Sequence, residues 1–419
     1  MNNKIISKRF GKLTDPASVS EYRAMGGYTA IQQAILTEKE HILEEIDKAM
    51  LLGRGGASYP MGRKWHHLYE NPRFPKYIVC NADEGEPGTF KDKALLSLDP
   101  HSVIEGMLIA GYLFSADEGF IYIRGEYRTI QETFQRALDD AEQNGYLGQD
   151  ILGVKGFNYT ITIVSGAGAY VCGENSAMLN SIEGLTGRPR VKPPHLADIG
   201  LHKQPTLVNN VESFANVPVV LNMGGEAYRA LGTEKDGGTR LICLSGHIKN
   251  RGMFEIPLGM PLDEIIYGEE YGGGMASGKP LGFIHFGGQS GPIGFPEQLE
   301  GLIYSYEEMR ARSLAIGSGA LVVMDDSVSV VEYLESVMGF FIHESCGKCT
   351  PCRLGTTRLH ELLGSFVKGR AGQEDLSRLE NMLTHITNLS SCGLGQSVAT
   401  SVRCAIRHRR NEFAALIGN

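Results

Sequence analysis

Three cysteines in the last quarter of the chain have the spacing of an iron-sulfur or zinc motif. Cys346, Cys349 and Cys352 stand three residues apart in ESCGKCTPCRLG. Either metal centre needs a fourth ligand, and the remaining cysteines in this part are Cys392 and Cys404. Cys392 lies in NLSSCGLGQS, which has the composition of a loop, whereas Cys404 lies in a helical pattern that is typical of a core thiol. We therefore expect Cys392 to complete the set.

The spacing favours a four-iron cluster over a structural zinc ion. Two C-x2-C steps that share their middle cysteine can contact three corners of a 4Fe-4S cube, and a distant cysteine can contact the fourth. Zinc sites more often use two separated pairs of ligands. A structural zinc site, and three free thiols without any ligand, stay open as alternatives.

Two glycine-rich segments could bind phosphate through their backbone N–H groups. GRGGASYPMGRKW, residues 53–65, follows a predicted helix and so lacks the strand that precedes the glycines of the dinucleotide fingerprint. The cations Arg54, Arg63 and Lys64 favour an anion cradle there, although a helix cap followed by an ordinary loop would have the same composition. SGAGAYVCGENSA, residues 165–177, follows a predicted strand and begins a helix, so its N–H groups and helix dipole can face a phosphate.

An acidic turn follows the first predicted strand. KYIVC has the pattern of a buried strand, and NADEGEPGTF places Asp83, Glu84 and Glu86 directly after it. Because ligands bind at the carboxyl ends of strands in α/β sheets, these carboxylates are candidates for ligand contact, although most charged turns are only solvated. Asn209 and Asn210 in TLVNNVES could contact the edge of a planar heterocycle or could form an ordinary turn.

The elements that would position these residues fall into distinct zones. Strands alternate with helices up to about Val220, which predicts an α/β domain with a largely parallel sheet. Short strands divided by glycine and proline then predict a small α+β domain, and a helical period fills the chain from Val328. The predicted divisions are an N-terminal helical segment at 1–52, the α/β domain at 53–237, the small domain at 238–317 and a helical domain at 318–419.

Composition limits the class of protein. A chain of 419 residues is too long for one ordinary core, and its net charge of -8 argues against a nucleic-acid partner. The first residues lack an apolar signal, and the longest apolar run, SLAIGSGALVVM, is too short to cross a bilayer. We therefore expect a cytoplasmic protein with reduced thiols and no direct membrane insertion, either free or within a complex at the membrane periphery.

Six motifs in this order resemble the flavoprotein subunit of respiratory NADH:quinone oxidoreductase. They are GRGGASYPMGRKW, CNADEGEPGTFKD, GAGAYVCGEN, VNNVES, HESCGKCTPCR and SSCGLGQ. Similar subunits occur in NAD-linked hydrogenases, formate dehydrogenases and electron-bifurcating complexes. The resemblance implies FMN, a nicotinamide dinucleotide and one 4Fe-4S cluster. It also implies a Rossmann-like α/β domain, a ubiquitin-like β-grasp domain of the soluble-ligand-binding type, and a C-terminal helical bundle that carries the cluster.

The resemblance also implies site residues, carried over position by position. Glu84, Glu86 and Tyr170 are implied to act at the nicotinamide end of the site. The implied contacts of FMN are at Gly53, Gly55, Gly56, Lys64, Asn81, Asp83, Glu84, Tyr170, Gly173, Glu174, Asn209, Asn210 and Ser213.

The positions implied to bind adenine and its ribose depart from the family pattern. Phenylalanines expected around the adenine are Tyr59, His67 and His195 here, and a glutamate expected to bind the ribose hydroxyls is Asn175. An amide does not repel a 2′-phosphate as a carboxylate does, and the histidines and Lys192 add donors or positive charge. We therefore expect NADP(H) binding, weak NAD(H) binding, or the loss of nicotinamide binding. Ordinary drift within an NAD(H) site explains the same residues.

These features predict an electron-input subunit of a respiratory, hydrogenase or electron-bifurcating complex. Hydride exchange between NAD(P)H and FMN would be followed by one-electron transfer to the cluster and on to partner subunits, in either direction. One alternative is an FMN and 4Fe-4S module without nicotinamide binding, and a more distant one is a structural zinc protein. Because no thioredoxin-like extension precedes the motifs, we expect a separate 2Fe-2S thioredoxin-like subunit beside a larger iron-sulfur or catalytic subunit.

Overall fold

A four-stranded parallel sheet lies at the centre of the first unit in the computed structural model, which describes residues 4–418. All neighbouring strands in the order β3-β2-β1-β4 are parallel, so their carboxyl ends meet at one edge. This confirms the predicted α/β unit with a parallel sheet. The strands are β1 (Tyr77–Ala82), β2 (Glu118–Ile123), β3 (Thr160–Ser165) and β4 (Thr206–Asn210).

Helices cover this sheet, and the N-terminal helices belong to the same core. Side chains such as Tyr28 and Ile46 share one buried cluster with Trp65 and Ile109. The described part of the expected N-terminal segment at 1–52 therefore packs as part of the α/β unit. The helices are α1 (Val19–Ala24), α2 (Thr29–Ala34), α3 (Lys39–Lys48), α4 (Met61–Glu70), α5 (Lys91–Leu98), α6 (Pro100–Phe114), α7 (Arg128–Gln143), α8 (Asn175–Ile182), α9 (Val211–Met223) and α10 (Gly225–Arg229).

A buried carboxylate ties the N-terminal helices to α6. Glu105 accepts the backbone N–H groups of Tyr28 at 2.9 Å and Ala30 at 3.1 Å, and the hydroxyl of Tyr22 at 2.6 Å. The first N–H groups of a helix have no partner within it, so Glu105 satisfies the start of α2 from another helix. The same contacts hold the N-terminal segment against α6.

The second unit is built on a five-stranded mixed sheet in the order β6-β5-β11-β8-β9. Its last strand in sequence is central, parallel to β5 and antiparallel to β8. Its strands are β5 (Thr239–Gly246), β6 (Gly252–Pro257), β8 (Leu281–Phe286), β9 (Ile293–Gly294) and β11 (Ala320–Asp325), and two short strands, β7 (Met260–Pro261) and β10 (Ile303–Tyr304), form a separate antiparallel pair. The helices are α11 (Leu262–Tyr267), α12 (Pro296–Leu299) and α13 (Tyr306–Ala311).

The predicted division between residues 317 and 318 falls inside this sheet. The sequence-based division ended the unit one strand too early, because β11 pairs with strands that are far away in sequence. We propose the division between Asp325 and Val330 instead.

Five helices lie between Val328 and Gly418, the last residue that the structure describes, as the helical period from Val328 predicts. Leu334, Leu359, Leu383 and Val402 share their core, together with Val208 from the parallel sheet. None of the helices within residues 4–418 is both long and apolar enough to cross a membrane. They are α14 (Val330–Glu344), α15 (Thr350–Val367), α16 (Asp375–Leu389), α17 (Gly393–Ser397) and α18 (Ala399–Ala415).

Candidate functional site

A cavity of about 560 Å³ lies where the α/β unit, the second unit and the helices α14 to α18 meet. One wall is the carboxyl edge of the parallel sheet with the glycine loop before α4, and the second unit contributes Ser290 and Ser318. The facing wall contains Leu394, Ser397 and Thr400, from the helices that follow Cys392. The predicted residues that line it are Gly55, Gly56, Asn81, Asp83, Glu84, Glu86, Tyr170, Gly173, Glu174 and Asn210.

The other predicted residues of the flavin and nucleotide sites lie outside this wall. Some are buried or half-buried behind the lining residues, and others are exposed on the surface. They are Gly53, Tyr59, Lys64, His67, Asn175, Lys192, His195, Asn209 and Ser213.

The first glycine loop faces the cavity with its backbone. A side chain at Gly55 would stand 3.1 Å from Cβ of Asn210, and Gly56 has a φ of +114°, which favours glycine. Arg54 does not act as a free cation, contrary to expectation, because its guanidinium is fully buried and pairs with Asp236 at 2.6 Å. Its backbone N–H donates to Ser213 Oγ at 2.9 Å. The buried ion pair therefore anchors the loop and leaves its glycines toward the cavity.

Lys64 and Asn209 meet behind the glycine loop. Lys64 Nζ donates to the carbonyl of Val208 at 2.8 Å and to Asn209 Oδ1 at 3.2 Å. Burial lowers the pKa of Lys64 to about 8. The other end of the amide, Asn209 Nδ2, is buried and has no partner among the described residues. It is a donor available to a ligand.

Glu84 is bound to the backbone of the helix that follows. Its carboxylate accepts the N–H groups of Asp92 at 2.8 Å and Lys93 at 2.9 Å, at the start of α5. Burial and the nearby charge of Asp92 raise the pKa of Glu84. Lys91 lies in the same acidic group, 2.7 Å from Asp92 and 3.0 Å from Glu212. Glu84 therefore lines the cavity as a helix cap, with little freedom to move toward a substrate.

Asp83 has an unsatisfied oxygen at the cavity. Its Oδ2 atom is buried and has no hydrogen-bond partner among the described residues. Burial raises the pKa of Asp83 to about 7, against the opposing charge of Arg124. An unpaired buried acceptor is costly, and a ligand hydroxyl would satisfy it. Asp83 thus offers an acceptor at the cavity wall that fits a hydroxyl of the ribityl chain of FMN, and Asn209 offers an unpaired donor behind that wall.

Glu86 joins two units at the edge of the cavity. Its carboxylate accepts the hydroxyl of Tyr170 at 2.5 Å and that of Ser290 at 2.8 Å. Burial raises the pKa of Glu86, although these donors oppose the shift. The backbone N–H of Tyr170 donates to Glu344 at 2.9 Å. Ser290 and Glu344 escaped the sequence prediction, and the only signal for Ser290 was its place in the glycine-rich segment GGQSG.

The second glycine loop does not present a free helix N-terminus to a phosphate, contrary to expectation. Glu174 caps α8 and accepts the N–H groups of Ser176 and Ala177, both at 3.0 Å. Its other oxygen pairs with Lys192 at 3.0 Å. Because a carboxylate already satisfies this helix start, the position repels a phosphate. The sequence motif does not reveal this cap, because it forms only when the folded loop turns the Glu174 carboxylate toward these N–H groups.

Asn175 interacts with another predicted residue beneath the loop. Its Oδ1 accepts Asn81 Nδ2 at 3.1 Å, and the same amide donates to the carbonyl of Gly173 at 2.9 Å. A glutamate at this position could accept the same bond but would add a charge. Asn81 and Asn175 are thus brought together as a polar floor under the first turn of α8.

Two of the three residues expected around adenine contact each other, and the third is largely exposed. The rings of His67 and His195 stand edge to face with centroids 5.6 Å apart, and His67 Nε2 lies 2.9 Å from Asp198 Oδ1. Tyr59 is 51% exposed. The two histidines therefore meet as expected, whereas Lys192 pairs with Glu174.

The structure brings the four predicted cysteines together, and Cys392 directly precedes Gly393 of the cavity wall. Cys346 and Cys349 lie between α14 and α15, Cys352 lies in the first turn of α15, and Cys392 directly precedes α17. Burial and the charges of the other three thiols raise the pKa of Cys352 to about 11, which reflects their proximity. Cys404 instead lies beside the backbone of Ile293 in β9.

The loop at Cys392 closes tightly over the other cysteines. A side chain at Gly395 would meet Cβ of Ser390 at 2.6 Å and Cβ of Cys352 at 3.1 Å. Burial opposes ionisation of Cys349, but N–H groups of Ser391 and Cys352 outweigh it and lower the pKa of this thiol, which favours the thiolate. Within residues 4–418, no three metal-binding side chains converge as the ligands of one ion would. The thiolates of a cube are spaced more widely, because each binds a different iron.

Two family descriptions match the segments that form these walls. Residues 46–219 match the Nuo51 FMN-binding domain, and residues 332–416 match the NADH-ubiquinone oxidoreductase-F iron-sulfur binding region. The first match spans the glycine loops and the parallel sheet. The second contains all four cysteines.

Curated relatives match nearly the whole chain. The second NADH-quinone oxidoreductase F subunit of Rhizobium meliloti (strain 1021) is 41% identical over 95% of this chain and 94% of its own length. The NADP-reducing hydrogenase protein HndC of Solidesulfovibrio fructosivorans is 40% identical over 96% of this chain and 81% of its own length.

Solved structures share the fold. A chain of an NAD+-reducing NiFe-hydrogenase in the H2-reduced state superposes with a TM-score of 0.83 at 34% identity, over 91% of this chain. This chain spans 63% of the length of that hydrogenase chain. The resemblance drawn from the six motifs is thus confirmed, and the chain belongs to the NADH-ubiquinone oxidoreductase-F family, the FMN- and 4Fe-4S-binding electron-input modules of respiratory and hydrogenase complexes.

Proposed function

We propose that FMN occupies the cavity and passes electrons to a 4Fe-4S cluster on Cys346, Cys349, Cys352 and Cys392. The observation that supports this best is the composition of the wall. One cavity is bounded by the carboxyl edge of the parallel sheet and by the helices that start directly after Cys392. A flavin there and a cluster on the cysteines would be neighbours, which suits rapid electron transfer.

Each group of residues has a separate task in this proposal. When bound, FMN exchanges a hydride with a nicotinamide and releases electrons one at a time. Asp83 and Asn209 hydrogen-bond the flavin, and the backbone of Gly55 and Gly56 lets it approach closely. Glu86 and Tyr170 orient the nicotinamide at the edge of the cavity. Glu84 acts indirectly, because it fixes the start of α5.

The remaining units and partners complete the proposal. The mixed sheet with α11 fits a β-grasp domain, and α14 to α18 form the bundle that carries the cluster. A thioredoxin-like 2Fe-2S subunit and a larger iron-sulfur or catalytic subunit would take the electrons onward. The names of the relatives support two kinds of complex, because one is part of an NADH-quinone oxidoreductase and another is part of an NADP-reducing hydrogenase.

A direct test starts from anaerobically reconstituted chain with FMN, iron and sulfide. Adding NADH or NADPH should bleach the flavin absorbance and produce the paramagnetic resonance signal of a reduced 4Fe-4S cluster. Bleaching without that signal would show that the cluster does not receive electrons from the flavin. A protein that binds FMN but is bleached by neither nucleotide would be an electron-transfer module without nicotinamide binding, and a colourless protein with one zinc would refute the cluster.

Asn175, at the position where a glutamate is expected, favours binding of NADP(H) in addition to NAD(H). A carboxylate at the ribose accepts bonds from the 2′- and 3′-hydroxyls and repels a 2′-phosphate, whereas an amide does not repel it. Lys192 lies on the same side of the loop, but its charge is paired with Glu174 at 3.0 Å, so acceptance of the 2′-phosphate depends on the amide of Asn175. We propose that the site accepts NADPH as well as NADH.

Asn175→Glu should shift the preference toward NADH. The new carboxylate restores the repulsion, and we expect the ratio of kcat/KM for NADH to that for NADPH to rise by about tenfold or more. Steady-state rates with an artificial acceptor measure the ratio. Asn175→Gln, which adds length but no charge, is the matched control. An equal change in both variants, or no change in either, would contradict the role of charge at this position.

Asp83→Asn should stabilise the flavin-free chain and weaken its hold on FMN. A carboxyl whose pKa is higher in the folded chain binds more protons when folded, so stability falls as pH rises from about 4 to the folded value. That folded value is about 7 for Asp83. The amide cannot ionise, so we expect a gain of roughly 1–3 kcal/mol in unfolding free energy at pH 8 and little gain at pH 4.

Urea unfolding at both pH values and FMN titration measure the two effects. Asp139→Asn on the exposed face of α7 is the control, since it removes a solvated carboxyl. A stability gain equal at pH 4 and pH 8, or FMN affinity equal to that of the wild type, would contradict the prediction.

A further inference from the structure

The loop between β8 and β9 reaches from the second unit to a carboxylate of the first. Ser290 donates to Glu86 twice, from its hydroxyl at 2.8 Å and from its backbone N–H at 3.2 Å. The hydroxyl of Tyr170 donates at 2.5 Å to Oε2 of Glu86, the same oxygen that accepts the Ser290 hydroxyl. Glu86 is therefore held between two units by three hydrogen bonds.

Close packing shows that this contact is built into the loop. A side chain at Gly288 would meet Cγ of Glu86 at 2.2 Å, and Gly288 has a φ of +87°, which favours glycine. A side chain at Gly287 would meet Cα of Gly317 at 2.8 Å. Gly288 lies so close to Glu86, and Gly287 so close to Gly317, that neither glycine has room for a larger residue.

The loop is also fixed from behind. Buried His285 donates Nε2–H to the carbonyl of Gly291 at 3.0 Å. Its other nitrogen, Nδ1, accepts the hydroxyl of Tyr333 on α14 at 2.8 Å. Since Nε2 must donate to a carbonyl, the tautomer is determined and both bonds form together. The end of the loop is thus held in place when no ligand is present.

We propose that Ser290 is a positioning residue for the nicotinamide end of the nucleotide, acting through Glu86. This rests on the proposed function, in which Glu86 and Tyr170 orient the nicotinamide at the edge of the cavity. With two hydrogen bonds from Ser290 and one from Tyr170, the carboxylate keeps one orientation toward the cavity. The second unit is then a working part of the nucleotide site, because it supplies the donors that orient Glu86.

The test compares two ligands that differ only by the nicotinamide. Titration calorimetry on the flavin-loaded chain would measure the affinity for NAD+ or NADP+, whichever the wild type binds more tightly, and for the matching ADP-ribose. Ser290→Ala should weaken binding of the dinucleotide by about tenfold, as expected for a lost hydrogen bond to a charged group, and leave ADP-ribose unchanged. Ser290→Thr keeps the hydroxyl and should restore most of the affinity.

Two further variants separate positioning from general damage. Ser305→Ala removes a helix cap in the same unit, far from Glu86 in the hydrogen-bond network, and should change neither affinity. Glu86→Gln should weaken dinucleotide binding more than Ser290→Ala, and adding Ser290→Ala to it should have no further effect.

The outcomes distinguish this inference from the proposed function. Equal loss for the dinucleotide and ADP-ribose, no loss for either, or additive effects with Glu86→Gln would overturn the role of Ser290. A wild-type chain that binds neither dinucleotide would overturn nicotinamide binding, and with it this inference. A wild type that binds, beside an unaffected Ser290→Ala variant, would overturn this inference alone.

Discussion

Replacing Cys392 by Ser is expected to leave reduction of the flavin intact and to stop the electrons there. Cys392 lies directly before α17, and the cavity wall continues from it through Leu394. It is the ligand farthest in sequence from the other three, so its loss opens one corner of the cube. Loss of a residue that only supports a metal ligand already costs 10–100-fold, so we expect at least about a 100-fold loss of electron transfer beyond the flavin.

Three measurements on one preparation decide this prediction. Iron content and the resonance signal of the reduced cluster should fall in Cys392→Ser, while stopped-flow bleaching of the flavin by the nucleotide keeps its rate. Cys404→Ser is the matched control, because this thiol is half-buried beside Ile293 and away from the other four. A cluster lost from Cys404→Ser and retained in Cys392→Ser would reverse the assignment of the fourth ligand.

Arg54→Ala is expected to destabilise the chain by about 3–5 kcal/mol. The guanidinium is fully buried, pairs with Asp236 at 2.6 Å and donates to the carbonyl of Gly237 at 2.8 Å. Truncation leaves the carboxylate of Asp236 buried without its partner, which is the costly part. Since Arg54 also begins the glycine loop, FMN should be lost at lower urea concentrations than those that unfold the wild type.

The cause of the expected loss of stability can be tested by removing both charges. Arg54→Met combined with Asp236→Leu should be less destabilised than Arg54→Ala, because no lone charge stays in the interior. Arg63→Ala, on the exposed side of the same segment, should be close to the wild type. Urea unfolding followed by circular dichroism measures all three variants. An Arg54→Ala chain as stable as Arg63→Ala would refute the anchoring role of the ion pair.

Features fixed by short stretches of chain were predictable from the sequence. The strand KYIVC and its acidic turn needed only a local pattern, and β1 ends at Ala82, with Asp83 directly after it at the cavity. The spacing of the cysteines and the flanking glycines likewise pointed to a loop at Cys392. These signals depend on neighbours within about ten residues, which is the range over which propensity and spacing inform.

Features fixed by distant partners were not predictable. Arg54 looked like a free cation, because nothing near it in sequence shows that Asp236 neutralises it. Ser290 carries no motif and reaches Glu86 only after two units have packed together. In each case the deciding contact is a hydrogen bond or an ion pair between side chains, and a hydropathy pattern does not encode its partner.

The place of β11 in the second sheet matters while the chain is being made. It is the last strand of that sheet to leave the ribosome, yet it lies between β5 and β8. A nascent chain that stops before Ala320 therefore exposes two long unpaired strand edges on β5 and β8. Unpaired strand edges can pair with other chains and cause aggregation. The growing polypeptide is therefore prone to aggregate until β11 has been synthesised and has paired with both edges.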